Sequence, residues 1–182
     1  MPRANPGNER LKRAYLQYLR NARGRSEQTL DKAAAAINRF EVYIGHKDFR
    51  RFHIDQAIGF KLLLEAQISK ATGQPLSKST ILHIVQVLRD FFHWLAREPG
   101  HRSMRASDAD YFSLSAREVR IAKTPNDRPV PTIDQVLHAL KCAPEETVVE
   151  LRNRALIAFI LLTGARDGAV ASFKLKHVMR AK

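Results

Sequence analysis

The chain has 182 residues, 45% of them hydrophobic, which is enough to bury a core and excludes a disordered polyelectrolyte. Its formal net charge of +13 excludes a neutral or acidic field and points to a polyanionic partner, either nucleic acid or an acidic membrane surface. No apolar run approaches the ~20 residues needed to span a bilayer, and the N-terminal "MPRANPGNERLKR" lacks a signal-peptide apolar segment, so a cytoplasmic chain is expected.

Taken in order, "NERLKRAYLQYLRNARG" places Leu11, Tyr15, Tyr18, Leu19 and Ala22 at helical spacing, with Gly24 ending the pattern and Arg and Lys dominating the other face. Ser26 is a good N-cap for a second helix, with Leu30, Ala33, Ala34, Ile37, Phe40 and Ile44 on one side and Gly45 as its stop. A third helix is expected from near Asp55, with Ile58, Leu62 and Ile68 as its buried stripe. After "KATGQP", the fourth, "SKSTILHIVQVLRDFFHWLAR", carries Ile81, Ile84, Val85, Leu88, Phe91, Phe92 and Leu95 at intervals of three and four, and Pro99-Gly100 closes it.

From 102 to 131 the sequence turns polar and proline-punctuated, which reads as a linker with one weak helix and sets a domain boundary. Beyond it, Thr132 and Gln135 stand at capping-box spacing before a helix from Ile133 to about Cys142, and Leu151 to Leu162 form another. Nothing alternates strongly enough for a sheet, so the chain reads as mainly α.

The chemistry-bearing residues are sparse. The seven histidines are scattered, no ligand pairing with Cys142 appears, and no phosphate-cradling glycine loop is present, so neither a metal nor a cofactor is expected. Cys142, the single cysteine, is expected buried on its helix. Trp94, Phe91 and Phe92 have faces able to stack on bases, but the apolar stripe assigns most of them to the core. Arg20, Arg23, Arg25 and Lys32 cluster around the start of the second helix, and Lys78, Ser79, Thr80 and His83 around the start of the fourth. Helix N-termini attract phosphate, so Arg25, Lys32, Lys78, Ser79, Thr80 and His83, with Lys123 further on, are candidate DNA contacts; two such helix starts acting together on a duplex compete with plain solvation of a charged surface.

"LRNRALIAFILLTGAR" resembles the first conserved box of the tyrosine recombinases, the phage-integrase family, in which an "RDRALI...LLTGLR" segment presents the first catalytic arginine; here that position is Arg166. "SEQTL...INRFEVYI" and "LSKSTILHIVQVLRDFFHWLAR" look like the family's N-terminal core-binding domain, so the resemblance runs from about Ser26 to Val178. It implies a helical, SAM-like core-binding domain over 1–101, a linker over 102–131, and over 132–182 the first helices of a truncated α+β catalytic domain. It also implies double-stranded recombination sites as partner, a tetramer of protomers on DNA, no metal or other cofactor, and a bacterial, phage or mobile-element source.

The family attacks a phosphodiester with a tyrosine to give a 3′-phosphotyrosyl intermediate. A planar, always-charged guanidinium suits the developing charge on the phosphoryl oxygens. Two departures stand out. Ala169 occupies the position three after Arg166 where the family commonly has an acid, with Asp167 adjacent. The family's later lysine, His-x-x-Arg box, His or Trp and nucleophilic tyrosine are not in these residues, and Tyr15, Tyr18, Tyr43 and Tyr111 fall in the helical bundle or linker, where packing or surface roles are expected. The competing readings are a non-catalytic basic helical DNA-binding regulator and an RNA-binding or assembly protein.

Overall fold

A computed structural model describes residues 5–69, 72–100, 104–125 and 129–174, and among these the secondary structure is helical apart from one isolated antiparallel bridge, Ile68 to Pro75. The end of the resemblance, from 175 to Val178, lies outside the described residues. The chain divides into two compact units, Met1–Pro125 and Asn126–Lys182.

The first unit contains α1 (Pro6–Asn21), α2 (Glu27–Tyr43), a 3-10 turn (Phe49–Arg51), α3 (Ile54–Ala66), α4 (Lys78–Leu95), a longer 3-10 segment (Ala106–Phe112) and α5 (Ala116–Lys123). Asn5 starts α1: its Oδ1 accepts from the backbone N–H of Gly7 at 2.9 Å, with Pro6 at the first helical position, where its missing N–H is harmless. Ser26 stands at the start of α2, but its hydroxyl pairs with Thr29 Oγ1 at 3.1 Å instead of capping a backbone N–H.

α4 is the central element, and every residue of its expected apolar face is buried. Around it an aromatic core forms on Phe40 of α2, whose ring meets Phe60, Phe92 and Phe112 edge-on at 5.2, 5.5 and 5.3 Å. Such pairs add about 0.5–1.5 kcal/mol each beyond area burial. A polar seam joins α1 to α2: Lys12 Nζ lies 2.7 Å from Glu41 Oε2, and Asn8 Nδ2 donates to Glu41 Oε1 at 2.9 Å, all three residues being buried. Burial alone would raise the Glu41 carboxyl, but the hydrogen bonds from Lys12 and Asn8 outweigh it and hold its pKa below the ordinary value.

Three expectations are corrected. In α3 the buried residues are Ala57, Phe60 and Leu64, while Ile58, Leu62 and Ile68 are 41, 62 and 54% exposed. The segment is apolar nearly all round, so its pattern does not choose a face, and packing of Phe60 on Phe40 does. Residues 104–125, expected as linker, belong to the first unit: Met104, Ala109 and Phe112 are buried, and Phe112 stacks on Phe92 at 5.4 Å. Cys142 is exposed in the last turn of its helix, with its sulfur 3.7 Å from His138 Nε2.

The second unit holds α6 (Ile133–Cys142), α7 (Val148–Thr163) and α8 (Asp167–Ala171). The capping box of α6 is made as its spacing predicts, with Gln135 N donating to Thr132 Oγ1 and Thr132 N to Gln135 Oε1. Thr147 and Glu150 repeat the device on α7, which ends at Gly164, left-handed at φ 63°. None of the described residues 129–174 is buried, and α7 shows Leu151, Leu156, Ile157 and Leu162 to solvent.

Candidate nucleic-acid interface

Lys32 and Arg39 are seven residues apart on α2, two turns along one face, separated by alanines. His83 of α4 joins them along a shallow groove of about 320 Å³ whose floor is the buried pair Ala36 and Ile84. Small side chains between two cations leave room for a phosphate to approach the helix surface, and three nitrogen-bearing side chains converge on that space. Lys32 and His83 are exposed, Arg39 half-buried.

The remaining sequence candidates are placed elsewhere. Arg25 lines a cleft with Asp90, Trp94 and Arg97 at the end of α4, whereas Lys78 is in the first turn of that helix. At ~1.5 Å rise per residue, Lys78 and Asp90 are about 18 Å apart along the axis, so Arg25 and Lys78 do not share one anion site; of the two clusters it is Lys32 and His83 that meet, in the groove. Ser79 and Thr80 hydroxyls pair with the hydroxyl of the N-cap Ser77 at 3.0 and 2.8 Å. Lys78 Nζ is held by Glu65 and Glu118. The hydrogen bond from Lys78, followed by those from Ser115, lowers the Glu118 pKa to about 2. Lys123, exposed at the end of α5, does not line the groove.

In the second unit, Arg166 caps α8: its carbonyl accepts from the backbone N–H of Ala169 and Val170 at 2.9 and 3.0 Å, directly after the left-handed turn at Gly164. Its side chain is exposed and makes no ion pair among the described residues. Asp167 turns its carboxylate onto the N–H of Gly168 at 2.8 Å rather than toward Arg166.

Comparison with protein families matches residues 13–99 to "Phage integrase, N-terminal SAM-like domain". This stretch, a little under half of the chain, is similar to the N-terminal domain of the phage integrases. The match covers α1 from Arg13 to just past the end of α4, so the SAM-like domain contains the whole groove, and the 3-10 segment and α5 are packed onto it from outside the matched residues. Searches of curated proteins and of solved structures found no significant match.

Among the described residues, no helix is long and apolar enough to cross a membrane, and no group of three or more His, Cys, Asp or Glu is placed to hold a metal ion. The sequence reading missed Arg39 in the SAM-like domain. The signal was there in "KAAAAINR", two cations two helical turns apart over alanines, but without His83 beside them it described only a solvated face.

Proposed function

We propose that this chain is the DNA-binding part of a site-specific tyrosine recombinase or integrase, and that its SAM-like domain holds duplex DNA along the α2–α4 groove. The observation that carries the reading is the convergence of Lys32, Arg39 and His83, from segments far apart in sequence, inside a domain of the integrase type. These side chains serve the phosphate backbone, which sets affinity and register and makes binding salt-dependent. The second unit is the beginning of the α+β catalytic domain; the solvent-facing apolar residues of α7 support this, since a helix apolar on several faces ordinarily packs inside a larger core.

In the proposed full-length enzyme, Arg166 holds the scissile phosphate bidentately while a tyrosine outside these residues attacks and forms the 3′-phosphotyrosyl bond, which preserves the energy for religation without metal or ATP. Protomers then work as a tetramer on paired sites, in the cytoplasm of a bacterial host or of one carrying the phage or mobile element.

The test of the groove uses the chain as it stands. Fluorescence anisotropy with a labelled duplex, across a salt series, is expected to give a steep negative slope that Lys32→Ala with Arg39→Ala reduces by about two phosphate contacts. An unchanged affinity and slope would move the duplex to another face. For Arg166, a nicked suicide substrate and the full-length enzyme are needed: Arg166→Lys is expected to abolish covalent trapping while duplex binding persists.

A further inference from the structure

A second cleft in the first unit is built differently from the groove. It has a volume of about 560 Å³, lies between the end of α1 and the last turns of α4, and has an aromatic floor. Tyr18 and Trp94 stand 6.2 Å apart with their planes within 28°, and both remain partly exposed while Tyr15 and Phe91 behind them are buried. Arg23 lies over the Tyr18 ring at 5.7 Å from its centroid and donates from Nε to the Tyr18 hydroxyl at 2.9 Å. Arg25 and Arg97 complete the rim, and neither guanidinium has a partner among the described residues. Asp90 and Glu98 also line the cleft but are outnumbered by the three arginines. His93 is engaged by Asp110 at 2.9 Å.

An intact duplex cannot use this combination. Its bases are stacked on one another with their faces hidden, so it would offer phosphates to the arginines and nothing to the rings. A single-stranded or extrahelical nucleotide offers both: a base face for an aromatic platform and a phosphate for the guanidiniums. The volume falls in the range of about 300–1,000 Å³ that small-ligand sites occupy, and the carboxylates of Asp90 and Glu98 are acceptors for base N–H groups, the N3–H of thymine among them.

We propose that this cleft binds an unstacked DNA nucleotide, its base against Tyr18 and Trp94 and its phosphate among Arg23, Arg25 and Arg97. The site deepens the DNA-binding reading and rests on it only in the chemical class of the ligand, because none of these residues lines the α2–α4 groove.

Trp94 is the only tryptophan of the chain, so its fluorescence reports on this cleft alone. The full chain is titrated with a ten-residue oligothymidine, with a blunt duplex of the same length, and with heparin as a polyanion that has no bases. Saturable quenching by oligothymidine, and not by the other two, is expected. Tyr18→Leu, which keeps apolar packing but removes the ring, and Arg97→Ala, at an exposed position, are each expected to weaken oligothymidine binding about tenfold.

Equal quenching by heparin or by the duplex, no quenching by oligothymidine, or unchanged affinity in Arg97→Ala would overturn the proposal. Lys32→Ala with Arg39→Ala separates the two readings: it is expected to weaken the duplex and leave the oligothymidine response intact. Quenching that survives in a chain with no duplex affinity would sink the groove and keep the cleft.

Discussion

Lys78 Nζ lies 2.9 Å from Glu118 Oε1 and 2.8 Å from Glu65 Oε1, so one ammonium ties the end of α3 and the first turns of α4 and α5 together. Glu118 also closes the capping box of α5 by accepting from the N–H and hydroxyl of Ser115. A lysine in the first turn of a helix opposes the helix dipole, and here two carboxylates offset that cost. Its position recommends Lys78 as a phosphate contact, yet its charge is already engaged in docking α5. Lys78→Ala is therefore expected to cost up to about 1 kcal/mol in urea denaturation, the range of partly exposed ion pairs, and to change duplex affinity less than twofold. A loss of affinity equal to that of Lys32→Ala would return Lys78 to the DNA face.

The same contact predicts a pH dependence. Glu118 is lowered from 4.5 to about 2 in the folded chain. A depressed carboxyl stabilises fully above its unfolded pKa, and that contribution is lost as pH falls from about 4.5 through about 2. Glu118→Gln is expected to melt below the parent at pH 7, and the gap should close as pH falls from about 4.5 through about 2, over which the parent carboxyl takes up its proton and becomes neutral like the glutamine. A gap that stays constant from pH 7 to pH 2.5 would show that the ion pair contributes nothing.

Lys12 is the more consequential cation for stability. Its Nζ meets Glu41 at 2.7 Å, Glu9 at 2.6 Å and Asn38 Oδ1 at 2.8 Å, and the side chains of Lys12 and Glu41 are only 10 and 3% exposed. Removing one member of such a pair strands the other charge in the interior. Lys12→Met should lose about 3 kcal/mol, read as a lower urea midpoint at constant slope. A loss below about 1 kcal/mol would mean that water reaches Glu41.

Gly59 and Tyr43 form a tight contact between α3 and α2. A Cβ on Gly59 would stand 2.3 Å from the Tyr43 hydroxyl oxygen but 3.6 Å from ring atom Cζ. Gly59→Ala is expected to destabilise the parent, because the Tyr43 ring is also packed on Phe60 at 5.3 Å and has to shift. In a Tyr43→Phe background the obstructing oxygen is gone, and the same substitution should stabilise by up to about 1 kcal/mol through helix propensity. Equal effects in both backgrounds, measured as a double-mutant cycle, would show that the hydroxyl is not the obstacle.

α4 was legible because its apolar residues recur at intervals of three and four against polar neighbours, which leaves one way to bury them. α6 was legible from Thr132 and Gln135, because a capping box is a local device whose partners are three residues apart. The family resemblance was legible for a related reason: it rests on contiguous segments, and the SAM-like match falls over two of them.

What sequence alone determined were features whose physics is short-range: helix starts, the face of an amphipathic helix, the excess of positive charge. Tertiary structure alone decided which side of α3, whose apolar residues are spread around the helix, turns inward, that Met104, Ala109 and Phe112 close the core, and which cations are free. Lys78 and Lys32 are both lysines near helix starts, and no local pattern separates them. Glu118, forty residues beyond Lys78 in sequence, neutralises one, while His83 joins the other on an open groove. Charge pairing and groove formation depend on which distant side chains folding brings together, and only the packed chain contains that information.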